Sequence, residues 1–129
     1  MPWGRRRVDV IGNKISGQIV IVEVKSSLAD LRTDNKMHEY RPFCDRMYLC
    51  VTKKVYEKAQ TAKLLTQRRL GDCGVLVLDD TGYCRIRTKA RSRPMDLEVR
   101  VTILARLAWR SGDLSKRTRR ARKRIYIKD

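Results

Sequence analysis

Apolar residues come along this chain in short blocks separated by turn formers, and the period within each block predicts its element. Residues 7–12 and 19–25 are rich in Val and Ile, with Gly12, Asn13 and Gly17 at or between their ends, which predicts two β-strands joined as a hairpin. Ser27-Leu28-Ala29-Asp30 then has the form of a helix start, a serine able to cap backbone donors and an acid three positions on able to reach back. That helix is expected to run to Glu39 or Tyr40, ahead of Pro42. Residues 47–51 are a compact apolar run predicting a buried third strand, and residues 55–70 carry apolar positions at broadly helical spacing. Two more strands, 74–78 and 83–87, flank Asp80-Thr81-Gly82, the composition of a tight antiparallel connection. After Pro94 and Asp96 a last helix lines up Leu97, Val101, Leu104, Ala105 and Ala108 in one stripe, expected to cover the sheet.

This order of elements predicts an α/β fold with a mixed β-sheet flanked by helices. A chain of 129 residues can fill one modest core, and its 42% hydrophobic content in discrete blocks belongs to a folded domain. There is no internal repeat and no Pro/Ser-rich linker. The compositional boundary near Gly112 divides an expected domain over 1–112 from a basic tail over 113–129.

Charge narrows the partners. The formal net charge of +17 favours polyanions, nucleic acid first among them. Lys116, Arg117, Arg119, Arg120, Arg122, Lys123 and Arg124 are spaced at a density that DNA backbone phosphates attract, while the rest of the chain stays basic without them. Such contacts would weaken as salt rises and would read no sequence. No apolar run reaches the roughly 20 residues that cross a bilayer, and the amino terminus lacks a signal-peptide core, so the expectation is a cytoplasmic protein with no membrane partner. Cys44, Cys50, Cys73 and Cys84 lack paired metal-ligand spacing and are expected to be buried thiols. The single histidine, His38, is expected at the surface.

The candidate chemistry lies in the second strand. Ile19-Val20-Ile21-Val22-Glu23-Val24-Lys25 is an apolar run that admits two charges at its end, and strand alternation puts Glu23 and Lys25 on one face. Asp9, set between Val8 and Val10, sits on the neighbouring strand. If Asp9 opposes Glu23, then Ile11 opposes Ile21 and Asn13 opposes Ile19, which requires an odd-length loop or a bulge. A two-residue turn at Ser16-Gly17 would set Asp9 against Val24 and turn it away. Two carboxylates on adjacent strands, with the Val24 carbonyl as a further donor, are hard oxygen ligands suited to Mg²⁺, and Lys25 could orient a water or offset developing negative charge. By itself, an acid two residues before a lysine is common, and an ion pair at a strand end would also explain it.

A longer run is more specific. Arg7-Val8-Asp9-Val10, Ile21-Val22-Glu23-Val24-Lys25-Ser26-Ser27-Leu28-Ala29-Asp30, Asp34-Asn35-Lys36 with Tyr40, and Cys44-Asp45-Arg46-Met47-Tyr48 together resemble the MmcB-like DNA-repair family, within the PD-(D/E)XK nuclease-like group. The resemblance spans about residues 7–51, with weaker agreement later. It implies a restriction-endonuclease-like fold and a Mg²⁺- or Mn²⁺-dependent DNA endonuclease hydrolysing phosphodiester bonds. Asp9 and Glu23 would be metal ligands, Lys25 the catalytic lysine, and Lys36 and Tyr40 accessory DNA-contacting residues one helical turn apart. Members of the wider group commonly place a helix with another acid ahead of these strands, whereas this sequence reaches Asp9 almost at once. The alternative is therefore a noncatalytic DNA-binding module on the same fold. Trp109, beyond the last stripe, is expected to pack on the domain or on a second subunit, and a homodimer is an open expectation.

Overall fold

The computed structural model describes residues 8–33, 37–112 and 127–128. Strands β1 (Val10–Asn13), β2 (Ile19–Lys25), β3 (Arg46–Thr52), β4 (Gly74–Leu78), β5 (Cys84–Thr88) and β6 (Ile127–Lys128) form one mixed sheet in the order β1-β2-β3-β4-β5-β6. The β1/β2 and β4/β5 pairs are antiparallel, whereas β2, β3 and β4 run parallel. Parallel neighbours need a crossover. Here α1 (Leu28–Arg32) and α2 (Met37–Tyr40) lie between β2 and β3, and α3 (Lys53–Thr61) and α4 (Gln67–Leu70) between β3 and β4. The long α5 (Leu97–Gly112) follows the β4/β5 hairpin. Among the described residues no helix is long and apolar enough to cross a membrane.

Strand alternation divides the apolar residues into two clusters. Ile19, Ile21, Leu49, Val51 and Val75 point to the face that carries the helices and meet Leu31, Tyr40, Val55, Leu70 and Ile103. Val22, Tyr48, Cys50, Leu76, Cys84 and Ala90 form the smaller cluster on the other face. All four cysteines are buried thiols, and burial pushes Cys44 up to about 11 and, with Cys84 beside it, Cys50 up to about 12. At the start of β4, Gly74 is required by close approach. A Cβ there would come within 2.4 Å of the Thr88 carbonyl oxygen and 2.5 Å of both the Ala90 nitrogen and the Tyr48 ring. Tyr48, its β3 partner, thus covers the space a side chain would need.

Three expectations are corrected. The helix foreseen over residues 27–40 instead ends at Arg32, where Thr33 is the C-cap and its amide donates to Ala29 O, and a separate α2 is described from Met37. The stretch 55–70 also divides, because Lys63 enters the left-handed region at φ 56°. The Leu64 amide donates to Ala59 O and the Lys63 amide to Gln60 O, which ends α3 in a Schellman-type turn, with Leu64 and Ala59 both buried. In α5, the stripe of Leu97, Val101, Ala105 and Ala108 faces outward, with only Leu104 half-buried, and the face turned to the core carries Val99, Ile103 and Leu107.

Arg100 accounts for that rotation. Its guanidinium grips Asp45 bidentately, at 2.7 Å to Oδ2 and 2.5 Å to Oδ1, and donates to Gly17 O at 2.9 Å. Asp45 is 4% exposed and also accepts the Ile19 amide at 2.7 Å. Its backbone bonds Ile19 O and the Arg93 amide. One carboxylate therefore joins the start of β2, the approach to β3 and helix α5. Burial pushes the Asp45 carboxyl up, but the Arg100 hydrogen bonds, the Ile19 amide and the charges of Arg100 and Arg41 outweigh it and hold the group below the usual carboxylate range.

Candidate active site

The β1/β2 ladder pairs Val10 with Val22, Ile11 with Ile21, Gly12 with Val20 and Asn13 with Ile19. The residues between, 14–18, make an odd-length loop closed by the Lys14 amide on Gln18 O and the Gly17 amide on Lys14 O, with Gly17 at φ 86°. Of the two registers open from sequence, this is the one that carries Asp9 opposite Glu23, one step beyond the last ladder pair.

Side chains finish the pairing there. The Asp9 amide donates to Glu23 Oε1 at 3.2 Å, and the Val24 amide donates to Asp9 Oδ2 at 2.9 Å. Each carboxylate is thus laced to the opposite backbone through one oxygen. Glu23 is 7% exposed and Asp9 is exposed, so the pair spans the boundary between core and solvent. Lys25 follows on the same face as Glu23, its side chain 12% exposed, with Nζ 3.9 Å from Asp30 Oδ1. Asp30 is held by the start of α1. Its amide donates to Ser27 Oγ at 3.0 Å, and its Oδ2 accepts the Ser26 amide at 3.4 Å. Sequence spacing showed Asp30 as part of a helix cap; its ion pair with Lys25 is a second use of the same carboxylate.

This edge of β2 offers two carboxylates and an ammonium group beside the carboxyl ends of parallel strands β2 to β4. Among the described residues no group of three or more His, Cys, Asp or Glu side chains gathers to hold a metal ion. The oxygen donors of Asp9 and Glu23 nonetheless suit Mg²⁺, which takes one or two carboxylates and fills its remaining positions with water and phosphate oxygens. The Val24 carbonyl, the third expected ligand, follows directly on Glu23. Tyr40 is packed in the core at 3% exposure, so its ring is not presented for stacking on a base. Lys36 and the residues from Lys116 to Arg124 lie outside the described residues.

The fold and this edge define a mixed α/β protein with a carboxylate–lysine strand beside a parallel crossover. The sequence matches the family described as DNA repair protein MmcB-like over residues 2–116, and the chain belongs to that family. Among solved structures it is similar to the SPO1766 protein of unknown function from Silicibacter pomeroyi, with a TM-score of 0.69 and 26% identity, over 96% of this chain and 81% of that one. No curated protein matches the chain.

Proposed function

We propose that this member of the MmcB-like family is a Mg²⁺- or Mn²⁺-dependent DNA nuclease of the PD-(D/E)XK kind, hydrolysing phosphodiester bonds of repair intermediates in the cytoplasm. The observation that carries the reading is the β1/β2 register, which turns Asp9 toward Glu23 and leaves Lys25 on the same face. Asp9 and Glu23, with the Val24 carbonyl, would hold the divalent ion. When bound, the ion supplies Lewis-acid polarisation of the scissile phosphate and a water of lowered pKa. Hydrogen bonds from backbone amides to both carboxylates fix their orientation before any ligand arrives, which limits reorganisation during the reaction. Lys25 orients the attacking water or offsets negative charge on the phosphate oxygens, and Asp30 positions its ammonium group. Lys36, Tyr40 and the cations from Lys116 to Arg124 are the proposed DNA contacts; for Tyr40 this requires its helix to shift, since the ring is buried.

The second reading is a noncatalytic DNA-binding module. It is favoured by the net charge of +17, which attracts phosphate backbones whether or not a bond is cut. Incubation with single-stranded, duplex and branched DNA in the presence of Mg²⁺ or Mn²⁺ separates the two. Cleavage by wild type, with a loss of at least about 100-fold in Glu23→Gln and in Lys25→Ala, supports the nuclease. Binding without cleavage of any substrate by wild type selects the module.

A further inference from the structure

Helix α5 has two apolar faces, and among the described residues only one packs on the core. On the outward face Leu97 is 72% exposed, Val101 57% and Trp109 76%, with the exposed Ala105 and Ala108 between them. At 100° per residue these positions form one continuous stripe opposite Val99, Ile103 and Leu107. Ala105, Arg106, Trp109 and Arg110 line a shallow pocket at the far end of it. An apolar stripe left exposed along a surface helix is chemically suited to a contact.

We propose that the outer face of α5 is the contact by which two copies of this chain associate, with their α5 helices antiparallel about a two-fold axis near position 103. Self-complementarity selects a second copy. A two-fold axis there sets Leu97 of each copy against the other copy's Trp109 region, where the pocket beside Ala105 can receive it, and sets Val101 against Ala105. The small Ala105 and Ala108 allow the two helices close approach.

Charge selects the antiparallel sense. Glu98 and Arg106 lie on the same flank of the stripe, two turns apart. Antiparallel packing brings the same flank of both helices together and places each Glu98 beside the other copy's Arg106, twice by symmetry, whereas two-fold parallel packing would carry these flanks to opposite edges of the contact, where the charges do not meet. The helix dipoles are also opposed in the antiparallel arrangement. A contact built on one helix from each copy belongs to the small, reversible class of interfaces, so a dissociation constant in the micromolar range is expected. The inference does not depend on nuclease activity.

Sedimentation velocity on the full chain from about 1 to 100 µM, at physiological salt where a Debye length of about 8 Å screens the repulsion of two basic molecules, tests it. Wild type is expected to move from the chain mass of 15.1 kDa toward twice that mass. Ala105→Glu, at an exposed position, should remain monomeric with an unchanged circular dichroism spectrum. Glu98→Arg should also weaken association, and Glu98→Arg combined with Arg106→Glu should recover it at least about tenfold toward wild type, since the exchanged charges pair again. Wild type monomeric throughout the range, Ala105→Glu still dimeric, or no recovery in the charge exchange would each overturn the proposal.

Discussion

Replacing Asp45 by Asn tests the clamp that holds the sheet to its last helix. The carboxylate accepts three bonds, two from Arg100 at 2.7 and 2.5 Å and one from the Ile19 amide at 2.7 Å. An amide of the same shape keeps one acceptor oxygen and turns a donor toward either the guanidinium or the Ile19 amide. It also removes the charge that strengthens all three bonds. Breaking a buried pair from one side costs about 3–5 kcal/mol. Arg100 is 24% exposed, so water can recover part of its solvation, and the expected loss is nearer about 2–3 kcal/mol. With a urea m-value of about 1.5–2 kcal/mol/M, the unfolding midpoint at pH 7 should drop by about 1–2 M. The same bonds fix the sign of the pH dependence. A carboxyl whose folded pKa lies below its unfolded value of about 3.9 contributes fully above that value and loses the contribution as pH falls through the folded one. Wild type should therefore lose stability below about pH 4 more steeply than Asp45→Asn. A midpoint shift under about 0.3 M, or parallel acid profiles for the two proteins, would refute the assignment of Asp45 as the clamp.

Two further changes probe the backbone. Gly74→Ala should destabilise the fold by at least about 3 kcal/mol in urea unfolding, because the new Cβ meets two backbone atoms and a packed ring well inside van der Waals distance; a change below about 1 kcal/mol would mean that the β4/β5 edge yields easily. Lys63→Gly should stabilise by about 1 kcal/mol, read as a rise in thermal midpoint, since it removes the cost of holding a side chain at φ 56° while keeping the turn that ends α3.

Legibility from sequence followed the range of the interaction. Glu23 and Lys25 stood out because an otherwise apolar strand admitted them, and alternation alone placed both on one face. Their relation to Asp9 reduced to two registers, and the loop closed by Lys14 and Gln18 decides between them. The rotation of α5 was not legible. Leu97, Val101 and Ala105 repeat at the same four-residue interval as Val99, Ile103 and Leu107, so periodicity gives both faces equal standing. What decides is the pairing of Arg100 with Asp45, 55 positions away, for which no local pattern exists. The break in α3 was hidden for another reason: its left-handed residue is Lys63, where composition would have signalled only a glycine.

The lacing of Asp9 and Glu23 makes the end of β1 a gauge of its own carboxylates. Beyond Val10 and Val22 the two strands are joined by bonds from the Asp9 and Val24 amides to acid side chains, and their strength depends on the charge those acids carry. A divalent ion drawing on that charge should change how often this end opens, which isotope exchange at those two amides can register without any substrate present.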